Sequence, residues 1–286
     1  MMKISVLASG SKGNCVYIEG NSGALVIDAG RSAREILGTK DRDGRLAEGG
    51  GNREMIEAIL VTHEHSDHVK GLAPLGNALK VPVYGTSGTL DAAIRSIHSK
   101  IRFPVHSVLC GDKISIGDFT VTPFPVSHDA TDPCGYLIEE DSVRVCYCTD
   151  TGIVTESMRD RLREADGVIL ESNHCPKMLR DGPYPEFLKR RIASPRGHLS
   201  NKDTGTVLKD LAGSLHCAVL AHLSEENNEP DLALRNAHEA LGIHADEVEI
   251  FVASSVDLVK KPPCRKERQK CRATCLNECW KIPISL

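Results

Sequence analysis

The sequence predicts an α/β fold in which two β-sheets pack face to face with helices outside. Two observations carry this reading. Its β-rich runs come first in hairpin-like groups and only later alternate with helical segments, which a single parallel sheet would not show. At 286 residues and 41% hydrophobic content the chain can bury a sizeable core, yet no apolar run approaches the ~20 residues of a membrane span. In order, the segments Ile4–Ala8, Cys15–Ile18, Ala24–Asp28, Ala58–Thr62, Phe119–Pro125, Cys134–Glu139, Val143–Thr149, Gly167–Glu171, Cys217–Ala221 and Val248–Val252 read as strands from their Val/Ile/Leu content and turn boundaries. Helical periods lie at 87–97, 155–165, 201–212 and 230–241. Ser200 serves as N-cap of the third, and Pro230 stands in the first turn of the fourth. Thr39–Arg53, with Gly49-Gly50-Gly51, is a long polar connection.

After Val252 the character changes. Pro262-Pro263 breaks any regular element, and a Lys/Arg/Cys-rich stretch follows. Residues 1–256 are therefore read as the catalytic domain and 257–286 as a flexible basic extension. Cys264, Cys271, Cys275 and Cys279 within it fit no common zinc or iron–sulfur spacing; a helical thiol cluster and an incidental set both remain open. The apolar start, Ile4 to Ala8, is broken by Ser9-Gly10-Ser11, too short for an export signal. A cytoplasmic chain with its eleven cysteines as thiols is expected.

The net charge of −4 conceals an uneven distribution. Residues 177–202 carry seven Lys/Arg against two Asp/Glu, and residues 258–286 carry eight against two. Positive segments on an acidic body suit a polyanion-binding groove, and equally suit solvated charge. With 4% aromatics and the lone Trp280 in the extension, a single-strand stacking platform is disfavoured.

The strand ending at Thr62 runs into His63-Glu64-His65-Ser66-Asp67-His68. His63 and His65 project to one side of an extended segment, and Asp67 and His68 can aim at a point a few ångströms away. A chance His-x-His-x-Asp-His in such a chain has odds on the order of one in a thousand. Imidazole and carboxylate without thiolate suit zinc, manganese or iron. Further candidates follow other strands: His128, Asp150 and His222 each stand just past an apolar run.

This series, opened by Asp28, closely resembles the metallo-β-lactamase superfamily over residues 2–253. The resemblance implies an αββα four-layer sandwich with a dinuclear metal site at the sheet edge and two divalent ions, Zn²⁺ or Mn²⁺ with Fe²⁺ also admissible. It assigns His63, His65 and His128 to one ion, Asp67, His68 and His222 to the other, and Asp150 to both, with Asp28 orienting a ligand histidine. A β-lactamase-type cysteine ligand and the flavo-diiron glutamate are both missing. Only 71 residues separate Asp150 from His222, too few for the domain that large RNA-processing and crosslink-repair members insert there. Thioester hydrolases of the glyoxalase II type share all seven ligands and stay open.

The stretches Ser9-Gly10-Ser11-Lys12-Gly13-Asn14, Glu171-Ser172-Asn173-His174, Arg196-Gly197-His198-Leu199-Ser200-Asn201 and His222–Asn228 resemble the YycJ/WalJ-type branch of small nucleases with this fold. That resemblance implies a 5′-to-3′ DNA exonuclease acting on double-stranded DNA, with a metal-bridging hydroxide as nucleophile. His198, at the mouth of a helix, is expected to bind phosphate and protonate the leaving group, with Asp67 and Asp150 beside it in the catalytic set. Glu171 and His174 are expected to support ligands or the substrate edge. Ser11, Lys12, Asn14, Asn173, Ser200, Lys189, Arg190, Arg191 and Arg196 are candidate substrate contacts, the basic ones with Lys177 and Arg180 lining the approach to the metal edge. A cyclic phosphodiesterase or thioesterase is the alternative, and a metal-bearing nucleic-acid-binding module a third.

Overall fold

Strict alternation along the strands decides the layers, because a period of two sends successive side chains to opposite faces. In the computed structural model, which describes residues 2–38, 52–97 and 99–253, one sheet holds β1 (Lys3–Ala8), β2 (Cys15–Glu19), β3 (Ala24–Ile27), β4 (Ile56–Leu60), β5 (Val83–Thr86) and β6 (Val105–Val108), side by side in chain order. The first three are antiparallel, and β3 to β6 run parallel. The second sheet holds β7 (Ile114–Ile116), β8 (Phe119–Pro125), β9 (Cys134–Glu140), β10 (Val143–Cys148), β11 (Gly167–Glu171), β12 (Cys217–Ala221) and β13 (Glu249–Val252). It is antiparallel through β10 and parallel beyond it.

Val16, Ile18, Leu25, Ile27 and Leu60 turn inward to meet Tyr136, Ile138, Val145, Tyr147 and Val219 between the sheets. Their strand neighbours Tyr17, Val26 and Ile59 face outward, onto α1 (Ala33–Leu37), α3 (Leu72–Leu79) and α4 (Ser87–Ser96). On the far side Cys146, Cys148, Leu170 and Leu220 pack against α5 (Glu156–Arg163), α8 (Asn201–Leu211) and α9 (Pro230–Leu241). The result is the predicted αββα sandwich. Strands buried on both faces read as near-continuous apolar runs, which is why they were visible in the sequence. The Tyr136 hydroxyl donates to the Val61 carbonyl at 2.7 Å, so this large buried side chain leaves no orphan donor between the sheets.

Several expectations are adjusted. Ala24–Asp28 ends at Ile27, and Ala58–Thr62 shifts to Ile56–Leu60. The strands β5, β6 and β7, and the short helices α1, α2 (Ser66–Val69), α3, α6 (Pro176–Asp181) and α7 (Glu186–Ile192), were not anticipated. Residues 39–51 of the polar connection and the predicted extension 257–286 lie outside the described residues. Among the described residues no helix is long and apolar enough to cross a membrane. For the site, the consequence is that the carboxyl ends of β3, β4, β8, β10, β11 and β12 deliver their following residues to one edge, where open α/β sheets place ligands.

Candidate metal centre

Backbone geometry aims the donors. Asp28, Asp150 and His222 leave their strands with φ of 61°, 55° and 55°, a left-handed conformation that residues with a side chain rarely adopt. All three stand at this edge, and such strain persists where function requires a particular side-chain direction. Beyond β4, His65 opens α2, whose single turn brings the His68 ring to 4.0 Å from that of His63. The turn before β2 is pressed close: Asn14 N donates to Asp67 O at 2.7 Å, and a Cβ on Gly30 would lie 1.7 Å from that same oxygen. Only glycine fits there.

Two donor groups result. His63 Nε2 and His128 Nε2 lie 3.1 and 3.3 Å from His65 Nδ1. Asp67 Oδ2 lies 3.6 Å from His68 Nε2 and 3.8 Å from His222 Nε2. Asp150 stands between the groups, with Oδ2 3.3 Å from His68 Nε2 and Oδ1 3.9 Å from His128 Nε2. Within each group the donor atoms lie within 4.8 Å of one another.

Neighbours fix the tautomers. His68 Nδ1 donates to Asp28 Oδ2 at 2.7 Å, His222 Nδ1 to Glu171 Oε1 at 2.8 Å, and His128 Nδ1 to the Gly197 carbonyl at 3.2 Å. Thr62 Oγ1, itself bonded to Asp28, lies 3.0 Å from His63 Nδ1. Each of these imidazoles therefore turns a bare Nε2 toward the centre. Asp150 Oδ2 and His222 Nε2 are buried without a hydrogen-bond partner, which protein interiors tolerate only where another partner arrives. Converging nitrogen lone pairs repel unless a cation sits among them, so the nitrogen and oxygen donors fit divalent metal ions.

The electrostatics agree. Burial pushes the Asp150 carboxyl up, but His222, His68 and His63 outweigh it and hold it well below the usual range. Burial likewise opposes charge on Glu171, yet His198 and His222 bring it down to about 2. Burial lowers His68, and the Asp28 and Asp150 carboxylates more than reverse this, raising it to about 10. His222 is raised well above its ordinary value by Asp150 and Glu171 against the same burial. His63, buried and facing His68, is driven well below its ordinary value. Fixed carboxylates thus draw positive charge inward.

At the rim, His198 Nδ1 donates to Glu171 Oε1 at 2.7 Å, while Glu171 Oε2 accepts from Thr151 N at 2.9 Å. Glu171 is fully buried, and the His198 side chain is 17% exposed. One carboxylate therefore holds both His222 and His198.

Other candidate positions take different parts. Asn14 is buried rather than offered to substrate: its amide donates to Gly10 O and lies 3.0 Å from His68 Nε2. Asn173 donates to the His222 carbonyl, and Ser200 caps α8 through Asp203 N. Ser200 Oγ also donates to the Asp203 carboxylate at 2.6 Å, so an acidic group already stands in the first turn of α8, beside His198. Arg191 pairs with Asp129 at 2.6 Å and Arg196 donates to the His128 carbonyl at 3.1 Å. These two cations bolt the α7 segment to the His128 loop instead of standing free. Lys12 is exposed and pairs with Glu225, Ser11 and Arg190 are exposed, and Lys189 donates to Arg180 O. His174 is buried with Nδ1 unpartnered; burial brings it down to about 4, so it is neutral at pH 7.

Sequence reasoning missed Thr62, Asp129 and the buried network in which Asn228 Nδ2 donates to Asn173 O, Ser172 O and Asn201 Oδ1. Thr62 and Asp129 adjoin the candidate donors His63 and His128 in sequence, a signal legible there. The asparagine network joins three distant segments and carried none.

Residues 24–223 match the Beta-lactamase superfamily domain. Over 244 residues, 84% of this chain and 89% of that protein, the sequence is 37% identical to the exodeoxyribonuclease YycJ of Bacillus anthracis. Over 234 residues, 81% of this chain and 85% of that protein, it is 38% identical to the exodeoxyribonuclease WalJ of Streptococcus pneumoniae serotype 2. The metallo-β-lactamase fold protein YhfI of Bacillus subtilis superposes with a TM-score of 0.68 at 19% identity, covering 89% of this chain and 97% of that one. That last likeness concerns the fold.

Proposed function

The chain belongs to the β-lactamase superfamily, in its YycJ/WalJ branch, as a metal-dependent hydrolase, and from that premise we propose that it is a dinuclear phosphodiesterase that degrades double-stranded DNA from 5′ ends. The observation carrying this reading is His198, held by Glu171 at the rim of the two donor groups. Phosphodiester cleavage expels an alkoxide, which must be protonated, whereas a thioester expels a thiolate that needs no such acid.

In this reading His63, His65 and His128 hold one cation, Asp67, His68 and His222 the second, and Asp150 both. Zn²⁺ or Mn²⁺ suits these donors, and Fe²⁺ is compatible. The ions supply an activated water and neutralise charge on the phosphate. The chain's own residues do the rest. Asp28 keeps His68 in the tautomer that offers Nε2, and Glu171 does the same for His222. Glu171 also stabilises an imidazolium at His198, whose Nε2 then gives its proton to the departing sugar oxygen.

The test is incubation of the protein with end-labelled linear duplex, circular duplex and single strands under Mn²⁺, Zn²⁺ or chelator. Stepwise loss from 5′ ends of the linear duplex, absent with chelator and in Asp67→Ala, is expected. No cleavage of any nucleic acid, alongside rapid hydrolysis of a cyclic phosphate or thioester, overturns it.

A further inference from the structure

Between Glu171 and His198 the chain makes an excursion through α6 and α7 that the metal centre does not use. Both stems are anchored at the centre, by Glu171 and His198 to each other and by Arg191 and Arg196 to the His128 loop. A hollow of about 240 Å³ lies within the excursion, smaller than the roughly 300–1,000 Å³ that takes a drug-sized ligand. Glu186, Lys189, Arg190 and Ala193 line it at the spacing of one helix face, opposite Pro176, Leu179 and Arg180 of α6. Pro176, Leu179, Ala193 and the aliphatic stems of Lys189 and Arg190 make its surface largely apolar. Three cations and one carboxylate, Glu186, belong to the lining; Arg180 is paired with Asp181, Lys189 Nζ donates to the Arg180 carbonyl, and Arg190 is exposed. His174, whose buried Nδ1 has no partner, also lines it.

We infer that this hollow is a nucleotide subsite, with one base of the bound strand lying on Pro176, Leu179 and Ala193, its edge toward His174, and its phosphate at Lys189 and Arg190. An inorganic phosphate would use the cations and leave the apolar surface bare. An apolar peptide would do the reverse. A nucleotide satisfies both, and an unpartnered imidazole nitrogen suits the polar edge of a base. The assignment rests on the nuclease reading for its role in turnover, but not for binding.

The experiment uses the full-length, metal-loaded protein and Ala193→Trp, which fills the hollow from an exposed helix end. Calorimetric titration compares deoxyadenosine 5′-monophosphate with deoxyribose 5-phosphate, which lacks the base. Wild type should prefer the nucleotide by about tenfold, the order of the gain from covering one base face with apolar side chains, and the variant should lose that preference. On linear duplex the variant should lose about tenfold in kcat/KM, mainly through KM, with hydrolysis of bis(p-nitrophenyl) phosphate within about twofold of wild type. Equal affinity of wild type for the two phosphates, or a variant that keeps the base preference, overturns the subsite. Should the protein cleave no nucleic acid, the nuclease reading fails, and the titration still decides the hollow.

Discussion

Replacing Glu171 by glutamine tests the centre at the point where its parts meet. One carboxylate oxygen accepts from His198 and His222, and the other from the backbone N–H groups of Thr151 and, at 3.3 Å, Leu199. Backbone donors cannot reorient, so the glutamine carbonyl must serve them and its NH₂ then confronts both imidazoles. Each ring must shift its proton to Nε2, which removes the lone pair that His222 offers a cation, and the substitution takes away the negative partner that keeps His198 protonated. Two charge-assisted hydrogen bonds at about 1.5–3 kcal/mol each are lost. At about 1.4 kcal/mol per decade this is roughly two to four decades, divided between metal retention and turnover. The assay pairs metal content after dialysis, by plasma mass spectrometry, with kcat/KM on labelled duplex and on bis(p-nitrophenyl) phosphate. Metal retention should fall by about 10–100-fold, with the remaining loss in kcat. Full metal content with both rates within about threefold of wild type would refute the reasoning.

Other predictions follow the same geometry. His198→Ala should retain metal and lose about 10²–10⁴-fold in turnover on DNA, far less on a phosphodiester with a nitrophenolate leaving group; equal loss on both would remove the proton-donor role. Gly30→Ala, forcing a Cβ to 1.7 Å from Asp67 O, should cost more than about 2 kcal/mol of stability and empty the second donor group, as a lowered Tm and lowered metal content. The metal-free protein should show a pH-dependent Tm. Glu171, lowered from 4.5 to about 2, stabilises above pH 4.5 and ceases to as pH falls toward 2. His68, raised from 6.5 to about 10, stabilises below pH 6.5 and ceases to as pH rises through 10. Metal-free Tm should therefore peak near pH 4.5–6.5 and decline toward pH 10, while bound cations flatten the alkaline limb; parallel alkaline limbs with and without metal would count against this account.

Much of the site was legible because its donors obey local rules. His63, His65, Asp67 and His68 fall within six residues, and Asp28, His128, Asp150 and His222 each follow an apolar run whose length and β-branching mark a strand. All four predicted helices appear within two residues of their expected ends, since each expected window is long enough for a period to be counted. By contrast β5, β6 and β7 span three or four residues, too few to display a period. The six- and seven-residue helices α6 and α7 are short and rich in charge.

What the sequence alone determined is the inventory: which side chains can bind a cation, in what order they leave the strands, and how much positive charge stands between Glu171 and His198. Only the tertiary structure decided how each is used. It turned Asn14 inward onto His68, spent Arg191 and Arg196 on the His128 loop, paired Ser200 with Asp203 at the start of α8, and gave Glu171 two histidines to hold. The physical reason is range. Strand and helix patterns are set by neighbours a few residues away, whereas a charge or amide takes the partner nearest in space, and Arg191 lies 62 residues from Asp129 along the chain.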